Sequence, residues 1–226
     1  MCGRFTLTVE TADLKEAFAG FKFPANLKPR YNIAPSQPVL VLANDGKNKA
    51  DFFVWGLIPS WAKDPAIGSR MINARAETLA EKPSFRGPYR YKRCLIPADG
   101  FYEWQKQPGA QVKIPHYIRL KNQQPFAFAG LWDEWHAPDG SQIKSCVIIT
   151  TAPNTLVENI HDRMPVILRP QDYAQWLSAE SRQPEELNPL LSAYPTQEME
   201  AYPVRTLVNQ AKLDLPEMIQ AVGGVQ

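Results

Sequence analysis

Cysteine and histidine are scarce in this chain, with three of each among 226 residues. Cys2, Cys94 and Cys146 are an odd, sparse set with no C-x-x-C pair, which excludes a disulfide framework. His116, His136 and His161 are scattered without metal-ligand spacing, so neither a structural zinc nor any other metal or organic cofactor is expected. No stretch approaches the roughly 18 apolar residues of a membrane span. The start, Met1-Cys2-Gly3-Arg4, lacks the basic-then-apolar pattern of a secretory signal. These absences lead to the expectation of a soluble, cytoplasmic, monomeric protein with no membrane association. Charge of one sign is also missing: the net value is +2, so bulk charge implies no partner and local placement must decide. No internal repeat and no low-complexity tract is present.

What the chain does have is proline, 21 in all and spread throughout, which breaks it into short elements. Apolar residues make up 44%, enough for a core and too many for wholesale disorder. Short runs rich in β-branched and aromatic residues predict strands at 3–7, 38–43, 52–57, 93–98, 100–105, 116–120, 126–132, 146–151 and 201–208. Helices are predicted at 11–19, with Thr11 as cap and Gly20 as stop, and at 154–159, 170–177 and 184–192. Residues 178–200 read as a polar, acidic surface excursion. The expected fold is α+β: one compact domain over 1–226, mostly antiparallel β-sheet with short helices.

Cys2 carries the most distinctive chemistry. Methionine aminopeptidases remove Met1 when the next residue is small, leaving a free α-amine and a thiol on adjacent carbons. At neutral pH roughly a tenth of such an amine is unprotonated, a few hundred times the fraction for lysine, and a few per cent of the thiol is thiolate. A 1,2-aminothiol forms an imine with an aldehyde, and the thiol then closes on the imine carbon to give a thiazolidine. Taken alone, Cys2 reads equally as a small residue at the start of the first strand.

Other segments set polar residues among apolar ones. In Arg30-Tyr31-Asn32-Ile33-Ala34-Pro35, a turn-rich loop, Asn32 is expected to bond its own backbone at the surface. In Trp55-Gly56-Leu57-Ile58-Pro59-Ser60-Trp61, Trp55 reads as core and Trp61 as an exposed ring able to stack on an unpaired base. If 72–77 is extended, Asn73, Arg75 and Glu77 share a face suited to a sugar and its phosphate; otherwise that face is merely solvated. Residues 85–93 hold four cations, no acid and three aromatics, the strongest local nucleic-acid signal in the chain, with Arg86 and Arg90 at its centre. In Gly100-Phe101-Tyr102-Glu103-Trp104, alternation points Phe101 and Glu103 one way and Tyr102 and Trp104 the other. A carboxylate beside rings is desolvated and fitted for proton transfer near neutrality. His161, beside Arg163, is a second candidate for acid–base work.

Together these segments resemble the SOS response-associated peptidase (SRAP) family, whose members crosslink to abasic sites in DNA. The resemblance rests on Cys2-Gly3-Arg4, the 30–35 and 55–61 segments, Asn73-Ala74-Arg75-Ala76-Glu77, Ala98-Asp99-Gly100-Phe101-Tyr102-Glu103-Trp104 and His161-Asp162-Arg163-Met164-Pro165, in the family's order across 2–170. Tyr202-Pro203-Val204 through Val208-Asn209 resembles its closing strand. The resemblance implies a groove for single-stranded DNA and a thiazolidine bond between processed Cys2 and the ring-opened abasic aldehyde. It implies that Glu103 shuttles the amine proton, His161 assists sugar-ring opening, and Asn73 holds the sugar. Arg4, Arg75 and Arg163 would grip flanking phosphates, Trp61 and Trp104 would meet neighbouring bases, and Arg86 and Arg90 would extend the groove. Two other readings stay open: a thiol peptidase or autopeptidase using Cys2, and a non-covalent single-strand-binding module.

Overall fold

The structure, a computed structural model, describes residues 2–107, 109 and 112–223; Met1, on whose removal the Cys2 chemistry depends, lies outside them. Strands are β1 (Phe5–Leu7), β2 (Arg30–Ile33), β3 (Pro38–Ala43), β4 (Ala50–Trp55), β5 (Asn73–Arg75), β6 (Arg93–Ala98) and β7 (Gly100–Gln105). They continue as β8 (Ile114–Leu120), β9 (Phe126–His136), β10 (Gln142–Thr151), β11 (Met164–Pro165), β12 (Ile167–Leu168) and β13 (Met199–Pro203). Helices are short: α1 (Thr11–Ala17), α2 (Pro83–Tyr91), α3 (Tyr173–Trp176) and α4 (Pro184–Leu187). Among the described residues, no helix is long and apolar enough to cross a membrane.

Strands β10, β4, β3, β6 and β9 pair in a closed ring, because β9 also pairs with β10. This is a five-stranded barrel, antiparallel except for the parallel β4–β10 contact. The closure satisfies the ladder hydrogen bonds around the ring without leaving a free edge there. A second sheet, ordered β13-β8-β7-β1-β2, packs on the barrel. Its inner face is apolar: Phe5 meets Trp55 and Phe128 at 5.2 and 5.6 Å between ring centroids, and Phe101 meets Phe128 at 6.1 Å. Its outer face is a smaller cluster of Tyr102, Tyr117, Val204 and Val208 with Trp104 and Tyr202 packed against it. The expected α+β class, a single compact domain of mostly antiparallel sheet, is what the chain forms.

The chain passes from barrel to second sheet between β6 and β7, and Asp99 and Gly100 make that passage possible. Asp99 is buried, and its carboxylate accepts bonds from Thr6 Oγ1, Thr8 Oγ1 and the Val9 amide. A Cβ on Gly100 would lie 2.2 Å from the Tyr117 ring, so only glycine lets β7 lie flat against β8.

Several local expectations need correction. Glu10, not Thr11, caps α1, through a capping box with Asp13. Residues 154–159 form no regular helix but a run of tight turns. The predicted strand at 201–208 is two elements, β13 and a 3-10 turn at Thr206–Asn209. Arg30-Tyr31-Asn32-Ile33 is a strand rather than a loop, and Asn32 is buried, donating to the Gln210 and Leu213 carbonyls instead of to its own backbone. The basic stretch 85–93 is mostly helix α2, with proline in its first turn. Its last cation, Arg93, is wholly buried and donates to the carbonyls of Tyr89, Arg90, Trp176, Ser178 and Glu180. Burial pulls that guanidinium down to about 10, and the ring of carbonyl acceptors keeps the charge tolerable.

Gly100→Ala is expected to cost about 3 kcal/mol or more in urea denaturation, because the new methyl overlaps a buried ring. Gly87→Ala, whose added Cβ meets nothing within 4 Å on helix α2, is expected to be neutral or stabilising by under about 1 kcal/mol.

Candidate functional site

The residues before β1 run alongside β7. The pairings Phe5 with Phe101 and Thr6 with Gly100 continue outward, and the Tyr102 amide donates to the Arg4 carbonyl at 3.0 Å. Cys2 therefore lies beside the stretch of β7 that carries Glu103, at the seam between second sheet and barrel. From the barrel side, β5 pairs in parallel with β10, and the Asn73 Nδ2 at its start donates to the Cys2 carbonyl at 2.8 Å. The other Asn73 atom, Oδ1, is buried with no hydrogen-bond partner among the described residues. An unsatisfied acceptor beside a reactive residue is where a ligand hydroxyl or amine would dock.

Glu103 follows the predicted alternation, on the inner face with Phe101, while Tyr102 and Trp104 join the outer cluster. At 2% exposure it is more deeply buried than expected. Burial pushes its carboxyl up to about 7, and nearby Asp162 acts in the same direction. His161 Nε2 lies 3.9 Å from Glu103 Oε2. The Arg163 amide donates to His161 Nδ1 at 3.0 Å, which places the proton of the neutral ring on Nε2, facing Glu103. Asp162 Oδ1 also sits 2.9 Å from Nδ1, a hydrogen bond only when that nitrogen is protonated. Burial holds the imidazole below its ordinary value, Asp162 opposing. Near neutrality the pair thus offers a neutral imidazole beside a carboxyl about half ionised, an arrangement that moves protons in either direction.

The thiol departs from expectation. Cys2 is fully buried, its Sγ 3.9 Å from the Arg4 carbonyl. Burial, and then the charge of Glu103, push it far above the ordinary cysteine range, so it is held as a thiol, not as a few per cent thiolate.

The expected phosphate and base contacts divide. Arg75 is exposed on β5, opposite Thr150. The extended run ends there: Glu77 lies in a 3-10 turn at Ala76–Thr78, not on a shared strand face. Glu77 instead grips Arg163 bidentately, at 2.6 and 2.9 Å, while Arg163 Nη2 also reaches the Thr150 carbonyl at 2.7 Å. Arg4 is tied to Asn32 Oδ1 at 2.7 Å and to the Val208 carbonyl at 2.6 Å. Both arginines are thereby fixed in place beside Cys2 and His161, with much of their donor capacity already used. Trp104 Nε1 donates to Asn209 Oδ1 at 2.7 Å. Trp61 is 59% exposed beside a cleft of about 320 Å³ lined by Lys63, Ile67 and Arg70. Arg86 and Arg90 are exposed on α2, whose packing partners are β6 and β9 and whose neighbour at Arg90 is Arg182; among the described residues no hydrogen bond joins them to the Cys2 cluster. Two supports escaped the sequence reading. Asp99 has only its place before glycine as a signal, and Asp214 accepts from the Asn32 amide and from Arg30 Nε.

The fold is a small barrel with a second sheet packed on it, and at their seam Cys2 lies beside the buried Glu103 carboxyl and the partly buried His161 ring. A model of the SOS response associated peptidase (SRAP) family matches residues 1–211, and the chain belongs to that family. It is 51% identical over 224 residues to abasic site processing protein YoqW of Bacillus subtilis (strain 168), covering 98% of this chain and 100% of that one. Abasic site processing protein HMCES of Xenopus tropicalis is 30% identical over 267 residues, covering 98% and 78%. A crystal structure of a Bacteroides thetaiotaomicron protein superposes with a TM-score of 0.87 at 29% identity, covering 98% of this chain and 100% of that one.

The raised Glu103 carboxyl has a stability consequence. Between about pH 4.3, the unfolded value, and about 7, the native state binds the extra proton, so this group's contribution to stability is present below that window and lost as pH rises through it. Glu103→Gln removes the effect. The stability of the variant relative to the unaltered chain is expected to grow by about 3 kcal/mol from pH 4.5 to 7.5, measured by urea denaturation at each pH.

Proposed function

We propose that this protein captures abasic sites in single-stranded DNA by forming a thiazolidine between processed Cys2 and the lesion's open-chain aldehyde. The observation that carries this reading is the convergence of Cys2, Asn73, Glu103 and His161 at one seam, with Glu103 near 7 and His161 neutral. The names borne by the relatives point to the same lesion.

The chemistry closes on these residues. Removal of Met1 frees the α-amine of Cys2. His161 assists transfer of the sugar hydroxyl proton as the deoxyribose ring opens to its aldehyde. Glu103 takes a proton from the ammonium, and the free amine attacks the aldehyde carbon. Glu103 returns that proton to the carbinolamine hydroxyl, which leaves as water to give the protonated imine. The Cys2 S–H then adds across the C=N bond, sulfur to carbon and hydrogen to nitrogen, so that one water is lost overall. A thiol kept protonated until the imine forms suits this order, and it argues against a peptidase that attacks with a standing thiolate. Asn73 anchors the Cys2 carbonyl, and its open Oδ1 faces the sugar's hydroxyl groups. Arg75, with Arg4 and Arg163, meets the flanking phosphates, while Trp61 stacks on a neighbouring base.

Purified, processed protein incubated with a single-stranded oligonucleotide bearing one abasic site is expected to give a band that survives denaturation on a gel. The band should vanish with Cys2→Ala and with intact DNA; its absence from correctly processed protein sinks the proposal. The rate of crosslinking should rise from pH 5.5 to about 7 as Glu103 ionises. Glu103→Gln should slow it by about 100-fold and abolish that rise, while affinity for intact single strands barely changes.

A further inference from the structure

We propose that Asn154 is the positioning residue that sets His161 against Glu103. The inference rests on the proposed function for its meaning, but its geometry stands apart from it. Asn154 lies three residues beyond the end of β10 and opens the run of turns that delivers His161. Its Oδ1 accepts from the amides of Leu156 and Val157, at 3.2 and 3.0 Å, and its carbonyl accepts from the Glu158 amide at 2.9 Å. The Val157 carbonyl in turn accepts from the amides of Ile160 and His161, both at 2.8 Å. One side chain therefore begins a hydrogen-bonded relay that ends on the histidine's own backbone.

Asn154 is also fastened outward in two directions. Its Nδ2 donates to the Tyr194 carbonyl at 2.7 Å and to the sulfur of Met199, at the start of β13, at 3.3 Å. Its amide donates to the sulfur of Met164, at the start of β11, at 3.3 Å. Met164 and Met199 are buried, and Met164 follows His161 by three residues. Strands β11 and β13 thus converge on this one residue, β11 through its backbone amide and β13 through its side-chain amide. Within the turn only Val157 and Ile160 are buried. Asn159 Nδ2 donates to the Thr155 carbonyl at 3.0 Å, and outside support comes from Gln105 Nε2, which donates to the Asn159 carbonyl at 2.8 Å, and from the Thr155–Thr196 hydroxyl pair at 2.8 Å, none of which fixes the His161 backbone directly. In a segment with no regular helix or strand pairing, a cap that satisfies two amides decides where the last residue points.

The test compares N154A, N154G and N154S by single-turnover crosslinking, affinity for intact single-stranded DNA, and an NMR titration of the His161 ring. That ring faces Glu103 from β7, Asp162 and the Arg163 amide from its own segment, and the charge of Lys113 ahead of β8. Alanine is expected to slow crosslinking by about tenfold or more at saturating DNA, with intact-strand affinity within about twofold. The His161 titration should move up toward the free-imidazole value as the ring leaves its buried seat. Serine, whose hydroxyl also accepts from the following amides, should restore most of the rate and the original titration. If N154A does not fold, N154G removes the same bonds at a position where glycine is tolerated, and the same loss is expected. An unchanged His161 titration in the alanine or glycine variant overturns the proposal, as does a serine variant no better than alanine. Should the unaltered protein fail to crosslink, the proposed function falls, while the His161 titrations still decide the role of Asn154.

Discussion

A carboxylate taken out of water into a protein interior is unfavourable by several kcal/mol unless it is matched by partners or by a proton. Glu103 sits in that position by construction. Its strand alternates, its neighbour Phe101 must face the barrel, and the period of two therefore sends Glu103 inward as well. The rest of the seam follows from that constraint. Cys2 is drawn in alongside by pairing between the start of the chain and β7, Asn73 reaches across from the barrel, and His161 closes the far side. The packing that makes the fold thus also tunes the acid–base group, so its proton affinity is a property of the whole sheet-on-barrel interface.

Much of this was legible in the sequence. Strands β3, β6 and β7 stand where β-branched and aromatic runs place them. Alternation alone puts Glu103 on the same face as Phe101, though it does not say which face is inward, and the six ordered motifs carry the family. Closure of the barrel was not legible, because β10, besides pairing with its chain neighbour β9, must also pair in parallel with β4, a partner remote along the chain. The same holds for Asn32: a turn-like composition suggested a surface loop, but residues 210–213 fold back to cover it.

The basic stretch 85–93 shows how charge counting misleads when tertiary packing decides orientation. Four cations in nine residues read as a surface for phosphate, yet one of them, Arg93, opens β6 just beyond the helix and points wholly inward as a structural knot for five carbonyls. Arg163 is a milder case. The sequence marked it as a phosphate grip, and the structure adds a carboxylate fork that holds its guanidinium rigid beside the site. A planar group fixed in this way gives up reach for orientation, since little side-chain freedom remains to be lost when an anion arrives.

The burial of the Cys2 thiol bears on how long the protein stays usable. In the proposed reaction each molecule is spent on one lesion, so a copy whose sulfur has been damaged beforehand is worthless. Peroxides and electrophiles attack thiolates far faster than thiols, and they need access. A sulfur kept protonated and out of contact with solvent is therefore preserved against oxidation under the conditions that break DNA. The same packing that withholds the nucleophile from chance encounters keeps it intact until a strand brings the aldehyde to it.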